Sequence, residues 1–159
     1  MSPQEESESS DVAAKRTAHV QAYLDKLLQR SAIYNIFMTG TQLTNVTPGT
    51  VTTQLVLTPT HVNSKGGLHG AVSAAIIDFV TGLAIVSWDL REETGASVDM
   101  HISYLSSKAG AGDTLDIVAT AEKVEDDGER TMVTLGQHTK FVRRATKVQA
   151  VAVEEGQKA

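Results

Sequence analysis

The chain has no cysteine and few positive charges. The absence of cysteine excludes disulfides, thiolate zinc sites and a cysteine nucleophile, and it is compatible with any redox compartment. The 14 lysine and arginine residues are outnumbered by 19 acidic residues, which gives a formal net charge of -5. Because non-specific binding of nucleic acid requires a basic surface, we expect neither DNA nor RNA as a partner.

Long apolar runs and targeting signals are also missing. No apolar run approaches the roughly 20 residues of a membrane span, so no span is predicted. The N-terminal sequence MSPQEESESSD has neither the layout of a secretory signal nor the arginine-rich character of a transit peptide. We therefore expect a cytoplasmic protein, and an association with mitochondria stays open.

Length and local composition predict one domain between two tails. A chain of 159 residues is long enough for a single hydrophobic core. Residues 1–11 are rich in serine and glutamate and predict a disordered tail. Residues 12–153 are predicted to form the domain, and residues 154–159 a frayed end.

The periodicity of apolar residues predicts an α+β fold. Apolar residues recur at helical spacing between Val20 and Leu28, which predicts an amphipathic N-terminal helix ending near Arg30. Two β-rich stretches, 40–46 and 50–57, flank a Pro-Gly turn and predict a hairpin. The alternating or β-rich segments that predict four further strands are 96–105, 114–124, 131–141 and 147–153.

The segment 70–88 between these strands is apolar nearly all round. A helix without a broad polar face is buried on most sides, and in a chain of this size only a sheet could cover it. The sequence therefore predicts a central helix against a single antiparallel sheet.

Chemistry is suggested first by the glycine-containing stretch from His61 to Ala71. If Gly70 opens the central helix, its amide N–H is one of the unpaired donors of a helix N-terminus, where negative charge is favoured. Such an amide can serve as an oxyanion hole for acyl transfer. On these residues alone, a loop that merely enters a helix explains the pattern equally well.

Asp78 is a carboxylate within the otherwise apolar central helix. Buried acids usually have a partner or a task, so Asp78 is either a hydrogen-bonded structural residue or a general base or nucleophile. Gly70 lies eight residues earlier, about 12 Å away along a helix that rises ~1.5 Å per residue. One chain cannot bring both groups to the same carbonyl carbon. Two antiparallel copies of the helix could, which predicts a symmetric dimer with two composite sites.

The spacing of these residues resembles that of the PaaI-like hotdog thioesterases, in particular the eukaryotic acyl-CoA thioesterase branch. The resemblance covers roughly residues 33–141 and rests on Asn63, Gly66, Leu68-His69-Gly70, Asp78 and Ala96-Ser97-Val98-Asp99-Met100 with Ile102 and Tyr104. It implies a hotdog fold, in which a long central helix is wrapped by an antiparallel sheet, here with an extra N-terminal helix. It also implies homodimers that often pair into homotetramers.

The resemblance further implies roles for five residues. Gly70 would supply the oxyanion amide, and Asp78 of the partner subunit would activate water or attack directly. Asn63 would orient the thioester or the water, and Ser97 would hold that water near Asp78. His69 would shape the start of the helix and could donate a hydrogen bond near the thioester.

Coenzyme A would enter as part of the substrate, and no cofactor is predicted. Positions that the resemblance places along its path are Tyr104, Leu105, Ser106, Ser107, Lys108, Ala109, Gly128, Arg130, His138 and Lys140. Positive charge should line that path because coenzyme A carries phosphates. Basic residues that could provide it are Lys65, Lys108, Arg130, Lys140, Arg143 and Arg144, and each could equally be a solvated surface charge.

The chain departs from the family pattern in two places. Ala71 stands where the family has the second glycine of His-Gly-Gly, and it could narrow the approach to the thioester. The segment Gly136–Lys140 resembles a sequence usual on the family's last strand, yet another apolar strand follows here. The pairing of the last two strands is left open.

The predicted function is hydrolysis of a fatty-acyl- or aryl-CoA thioester to the free acid and CoA. The alternative is a non-catalytic module that binds acyl-CoA or lipid, which only Ala71 supports. A hotdog dehydratase is a third reading, for which His69 is a poor base because it precedes the helix. The histidines lack metal-ligand spacing such as HExxH, and neither a GxSxG elbow nor a phosphate-binding glycine motif is present, so no metal is predicted.

Overall fold

The computed structural model describes residues 9–97, 99–105, 108–121, 136–140 and 147–151. The predicted C-terminal tail lies outside these ranges, as does most of the predicted N-terminal one. The helices in the described ranges are α1 Ser10–Arg30, α2 Ala32–Met38 and α3 Gly70–Asp89, with a 3-10 turn at Pro59–His61. The strands there are β1 Gln42–Thr47, β2 Thr50–Val56, β3 His101–Ile102, β4 Thr114–Thr120, β5 Gly136–Lys140 and β6 Lys147–Val151.

The predicted hairpin is confirmed by β1 and β2, which pair antiparallel with Thr47 opposite Thr50. Gly49 in the turn has φ +75°, a left-handed conformation that favours glycine. A Cβ at this position would lie 2.5 Å from the Trp88 ring, so the turn also needs glycine for its close approach to the end of α3. The turn therefore packs the hairpin directly on the central helix.

The strand order in the sheet is β1-β2-β4-β6-β5-β3. The antiparallel arrangement that the sequence predicts holds for β1–β2, β2–β4 and β5–β6. The pairs β4–β6 and β3–β5 run parallel instead. For β4–β6 the reason is topological: β6 rather than β5 lies beside β4, and the chain reverses direction twice between them. This order answers the pairing question that the sequence left open.

The central helix α3 packs against β2 and β4 of the sheet and also contacts α1 and α2. Phe79, Leu83 and Val86 are fully buried in this core, and burying an apolar side chain of this size stabilises the fold by about 1.5–3 kcal/mol. Among the described helices, α3 alone is long and apolar enough to cross a membrane, but 67% of its most apolar window is buried inside the protein. It is the core helix that the sequence predicts.

The amphipathic helix α1 covers α3 with Val20, Tyr23 and Leu24, which are buried. Its Arg16 guanidinium donates to the backbone carbonyls of Ser87, at 2.5 Å, and Trp88, at 3.2 Å. Carbonyls in the last turn of a helix lack intrahelical donors, and a cation there is favoured by the helix dipole. Helix α1 therefore satisfies the C-terminal end of α3.

Two parts of the fold differ from the prediction. Helix α2 was not predicted, although Ser31 caps it by accepting a hydrogen bond from the Tyr34 amide. The strand predicted over 96–105 is confined to His101–Ile102 among the described residues of that stretch. β3 lies at the sheet edge and pairs with β5 over two residues, and Met100 and Tyr104 beside it are exposed in a single chain.

Candidate active site

The start of α3 carries an open backbone donor. His69 is the N-cap, and its Nδ1 accepts the Ala71 amide N–H at 3.1 Å. Gly70 is the first helical residue, and its N–H has no acceptor among the residues that the structure describes. Because the helix dipole places partial positive charge here, this amide is suited to bind a developing negative charge.

Tyr104, which follows β3 in the chain, lies beside the same helix start. Its hydroxyl donates to the Gly70 carbonyl oxygen at 3.3 Å. Its ring and hydroxyl atoms lie 3.4–3.6 Å from where a Cβ on Gly70 would be, so the tyrosine lies close beside the helix start. The Tyr104 side chain is 62% exposed, so the helix start is accessible from outside.

The loop before α3 is shaped by Asn63 and His61. The Asn63 Oδ1 accepts the amide N–H groups of Lys65, at 2.9 Å, and Gly67, at 3.3 Å. This oxygen is thus occupied in turning the loop, and only the side-chain amide nitrogen of Asn63 is left for the orienting role that the resemblance implies. Among the described residues, the hydrogen bonds of Asn63 join it to Lys65, Gly66 and Gly67 of its own loop and not to Gly70 or Asp78.

His61 is a buried anchor that the sequence argument did not single out. Its Nδ1 accepts the Thr58 amide N–H at 2.7 Å, so Nε2 carries the proton and donates to the Phe37 carbonyl at 2.9 Å. Its own carbonyl accepts the His69 amide N–H at 2.9 Å. His61 therefore ties α2 to the residue that caps α3.

Asp78 is half-buried in the middle of α3 and is held at both carboxylate oxygens. Oδ1 accepts the Ser97 hydroxyl at 3.1 Å, so the structure brings together two residues that the resemblance pairs. Oδ2 accepts the Tyr34 hydroxyl at 2.6 Å. Both donors are neutral hydroxyls, and no lysine, arginine or histidine among the described residues forms an ion pair with Asp78.

Tyr34 is the site residue that the sequence argument missed. Burial, and then the hydrogen bond to Asp78, raise the pKa of the Tyr34 phenol well above its usual range. The phenol therefore stays protonated and keeps donating at any ordinary pH. The available signal was a tyrosine in an apolar run just after a capping serine, since a tyrosine on a buried face needs a polar partner for its hydroxyl.

The remaining predicted positions are dispersed. Leu105 and Lys108 are exposed, whereas Ala109 is buried and its carbonyl accepts the Leu68 amide N–H at 2.7 Å. On β5, His138 lies opposite Val151 and Lys140 opposite Gln149. The predicted positions that lie outside the described residues are Ser106, Ser107, Gly128, Arg130, Arg143 and Arg144. Ala71 and Lys65 are both exposed near the helix start.

Within one chain the site has two separate halves. One half is the open amide at Gly70 with Tyr104 above it, and the other is the carboxylate of Asp78 with its two hydroxyl donors. The halves are eight residues apart on one helix, about 12 Å. A base and an anion-binding donor are the two groups that hydrolysis of an ester or thioester requires.

Several known proteins are similar in sequence to the part of the chain that contains these two halves. A model of the thioesterase superfamily matches residues 65–127, which include the start of α3, Asp78 and Ser97. A Schizosaccharomyces pombe protein named as an esterase is 32% identical over 114 residues, covering 65% of this chain and 70% of that protein. Human acyl-coenzyme A thioesterase 13 is 36% identical over 80 residues, covering 50% of this chain and 54% of its own length. The chain thus spans about half of the human relative.

Solved structures agree on the fold. Zebrafish thioesterase superfamily member 2 is similar with a TM-score of 0.59 at 25% identity, covering 69% of this chain and 76% of that one. Escherichia coli PaaI, from the phenylacetic acid degradation operon, is similar with a TM-score of 0.53 at 17% identity, covering 68% and 74%. The family match, the yeast relative and these structures together show that the chain belongs to the thioesterase superfamily, as a PaaI-like member with the hotdog fold.

Proposed function

We propose that this protein hydrolyses a fatty-acyl- or aryl-CoA thioester to the free acid and CoA. The observation that carries the proposal is Asp78, a carboxylate in the core helix whose hydrogen-bond donors are two neutral hydroxyls. Each carboxylate oxygen accepts one of these hydroxyls and can accept a further hydrogen bond, so Asp78 can also bind a water molecule. Membership of the thioesterase superfamily and the name of the human relative support the same chemistry.

The proposed reaction uses two copies of the chain. Antiparallel α3 helices would place Asp78 of one copy near Gly70 of the other, which one helix alone cannot do. The exposed apolar residues near the β3 edge, Met100 and Leu105 among them, favour coverage by a second copy. We expect a homodimer of this kind to pair further into a tetramer.

In each composite site Asp78 would take a proton from water, and the resulting hydroxide would attack the thioester carbon. The carbonyl oxygen would become an oxyanion, which the Gly70 amide N–H stabilises. When the tetrahedral intermediate collapses, the C–S bond breaks and the CoA sulfur receives the proton from Asp78. No cofactor is needed, and exposed Lys65 and Lys108 are the described cations that we propose for the CoA phosphates.

The first test is the pair of variants Asp78→Asn and Asp89→Asn, assayed with short, medium, long and aryl CoA thioesters and a thiol-trapping reagent. Asp78→Asn should lower kcat by two to four orders of magnitude, roughly the contribution of general base catalysis. Asp89 is a matched carboxylate at the far end of the same helix, bonded to Arg91, and its variant should keep wild-type turnover. Near-normal turnover by Asp78→Asn would remove Asp78 from the mechanism.

Mixing inactive subunits tests the composite site. A Gly70→Pro subunit lacks the amide N–H and an Asp78→Asn subunit lacks the base, so a mixed dimer contains one site with both defects and one intact site. Because half of randomly mixed dimers are hybrids, about a quarter of wild-type activity should return after mixing. No recovery would place both groups in one chain. A wild-type protein that binds acyl-CoA without turnover would favour the non-catalytic module.

A further inference from the structure

The hydrogen bond between Tyr34 and Asp78 joins two elements that are far apart in the sequence, since the residues are separated by 44 positions. Its length of 2.6 Å is in the range of charge-assisted O–H···O⁻ bonds, which are about twice as strong as neutral ones. The bond therefore represents a directed contact between α2 and the carboxylate on α3. Tyr34 lies on α2, outside both the loop from His61 to His69 and the helix α3.

Packing alone does not account for the Tyr34 hydroxyl. The ring already has an edge-to-face contact with Phe79, with centroids 5.1 Å apart and planes at 63°. A phenylalanine would make the same contact. The hydroxyl adds only its hydrogen bond to Asp78 Oδ2, which is its single acceptor among the described residues.

The two hydroxyl donors to the carboxylate come from two different segments of the chain. Tyr34 reaches Oδ2 from α2, and Ser97 reaches Oδ1 from the segment after α3. A carboxylate held at one oxygen can still turn about its side-chain bonds, whereas one held at both has a fixed plane. Each oxygen can accept more than one hydrogen bond, so the bonds from Tyr34 and Ser97 leave a lone pair that can accept a hydrogen bond from water.

We infer that Tyr34 is a positioning residue, which fixes the Asp78 carboxylate in the orientation that the proposed hydrolysis uses; this role rests on the proposed function. Tyr34 acts through Asp78 and need not touch the substrate. Its loss should therefore slow the chemical step and leave substrate binding unchanged, because misorientation of a catalytic group is felt mainly in the rate.

The experiment compares Tyr34→Phe with Tyr23→Phe. Tyr34→Phe keeps the ring contact with Phe79 and removes only the hydroxyl, and it should lower kcat about tenfold with KM within about twofold of wild type, as for loss of a hydrogen bond to a charged group. Tyr23 is a buried tyrosine of α1 that donates no hydrogen bond to Asp78, and the same change there should leave kcat and KM unchanged. An unchanged kcat in Tyr34→Phe would overturn the inference.

A double variant separates positioning from a structural effect. In the Asp78→Asn background, single-turnover rates with excess enzyme should change less than about twofold when Tyr34→Phe is added, because the group that Tyr34 positions has been altered. If Tyr34→Phe lowered the rate tenfold both in wild type and in Asp78→Asn, its effect would be independent of Asp78. This result would overturn the inference.

Failure of the proposed function would give a different result. If Asp78→Asn turned over normally, or the wild type cleaved no thioester, the hydrolysis proposal would fall, and crystal structures of wild type and Tyr34→Phe would still test the positioning. A carboxylate that rotates on loss of the hydroxyl supports the role of Tyr34. A carboxylate that keeps its orientation with Ser97 alone would overturn it.

Discussion

The two ends of α3 differ in how the rest of the molecule satisfies their free backbone N–H and C=O groups. At the C-terminal end, Arg16 donates to the carbonyls of Ser87 and Trp88, and the Leu90 amide donates back to Val86. At the N-terminal end, His69 satisfies the Ala71 amide, while the Gly70 amide has no acceptor among the described residues. Every α-helix leaves four donors at its start and four acceptors at its end.

This difference separates an end that the fold satisfies from an end that we propose to bind the substrate. The C-terminal carbonyls are covered by a buried arginine, so nothing from solution is needed to satisfy them. The N-terminal donors are covered only in part and face an exposed tyrosine, so they can take a ligand's negative charge. Under the proposed mechanism, the core helix is fixed at its C-terminal end and uses its N-terminal end for catalysis.

The largest expected effect is at the open end. Gly70→Pro removes the amide N–H, and proline is tolerated at the first helical position. His69 already has the extended backbone that precedes proline, with φ -73° and ψ 133°. We expect kcat to fall by about 10²–10³-fold, the usual cost of losing an oxyanion donor.

The matched variant is Gly70→Ala, which keeps the N–H. Its Cβ would lie 3.4 Å from the Tyr104 ring, an ordinary van der Waals distance, so alanine should fit without moving the ring. Steady-state assays of the two variants should show a far smaller loss for alanine than for proline. Equal losses would indicate that space at the helix start matters and the amide does not.

The closed end should respond in stability and not in turnover. Arg16→Met keeps most of the apolar stem but leaves the Ser87 and Trp88 carbonyls without the guanidinium, so we expect a loss of about 2 kcal/mol in the free energy of unfolding. Lys15→Met, the neighbouring exposed position, should cost less than about 0.5 kcal/mol. Urea denaturation measures both. A reduced kcat in folded Arg16→Met would contradict the separation between the two ends.

The smallest effect concerns the cap at the open end. His69→Ala removes the acceptor for the Ala71 amide, and we expect a loss of about 1 kcal/mol in the free energy of unfolding. His69→Asn restores a capping acceptor and should recover most of it, as thermal denaturation would show. If His69→Asn recovers stability but not kcat, the imidazole also acts on the substrate.

Residues with a local signature were predicted well. The Pro-Gly turn predicted the hairpin, the apolar run predicted α3, and the glycine-containing loop predicted that Gly70 begins it. These features depend on backbone freedom and on periodicity within a few residues, which the sequence displays directly. The pairing of Ser97 with Asp78 came from the family resemblance, not from a local signal.

Tyr34 shows what was not predictable. Helix α2 is only seven residues long, too short for periodicity to distinguish it from a loop, and helices of this length depend on tertiary contacts for their stability. The strand around Met100 was overestimated for a related reason: most of the described residues in this stretch are exposed in a single chain, so little packing supports a longer strand. In both cases the deciding contacts lie outside the local sequence.

The sequence by itself determined the kinds of elements, the position of an acid inside the core helix and an open amide at its start, because these follow from residue type and spacing. Only the tertiary structure decided which side chains meet: Arg16 at one end of α3, and Tyr34 and Ser97 on the two oxygens of Asp78. Such contacts join residues many positions apart, and their geometry exists only once the helices and the sheet have packed together.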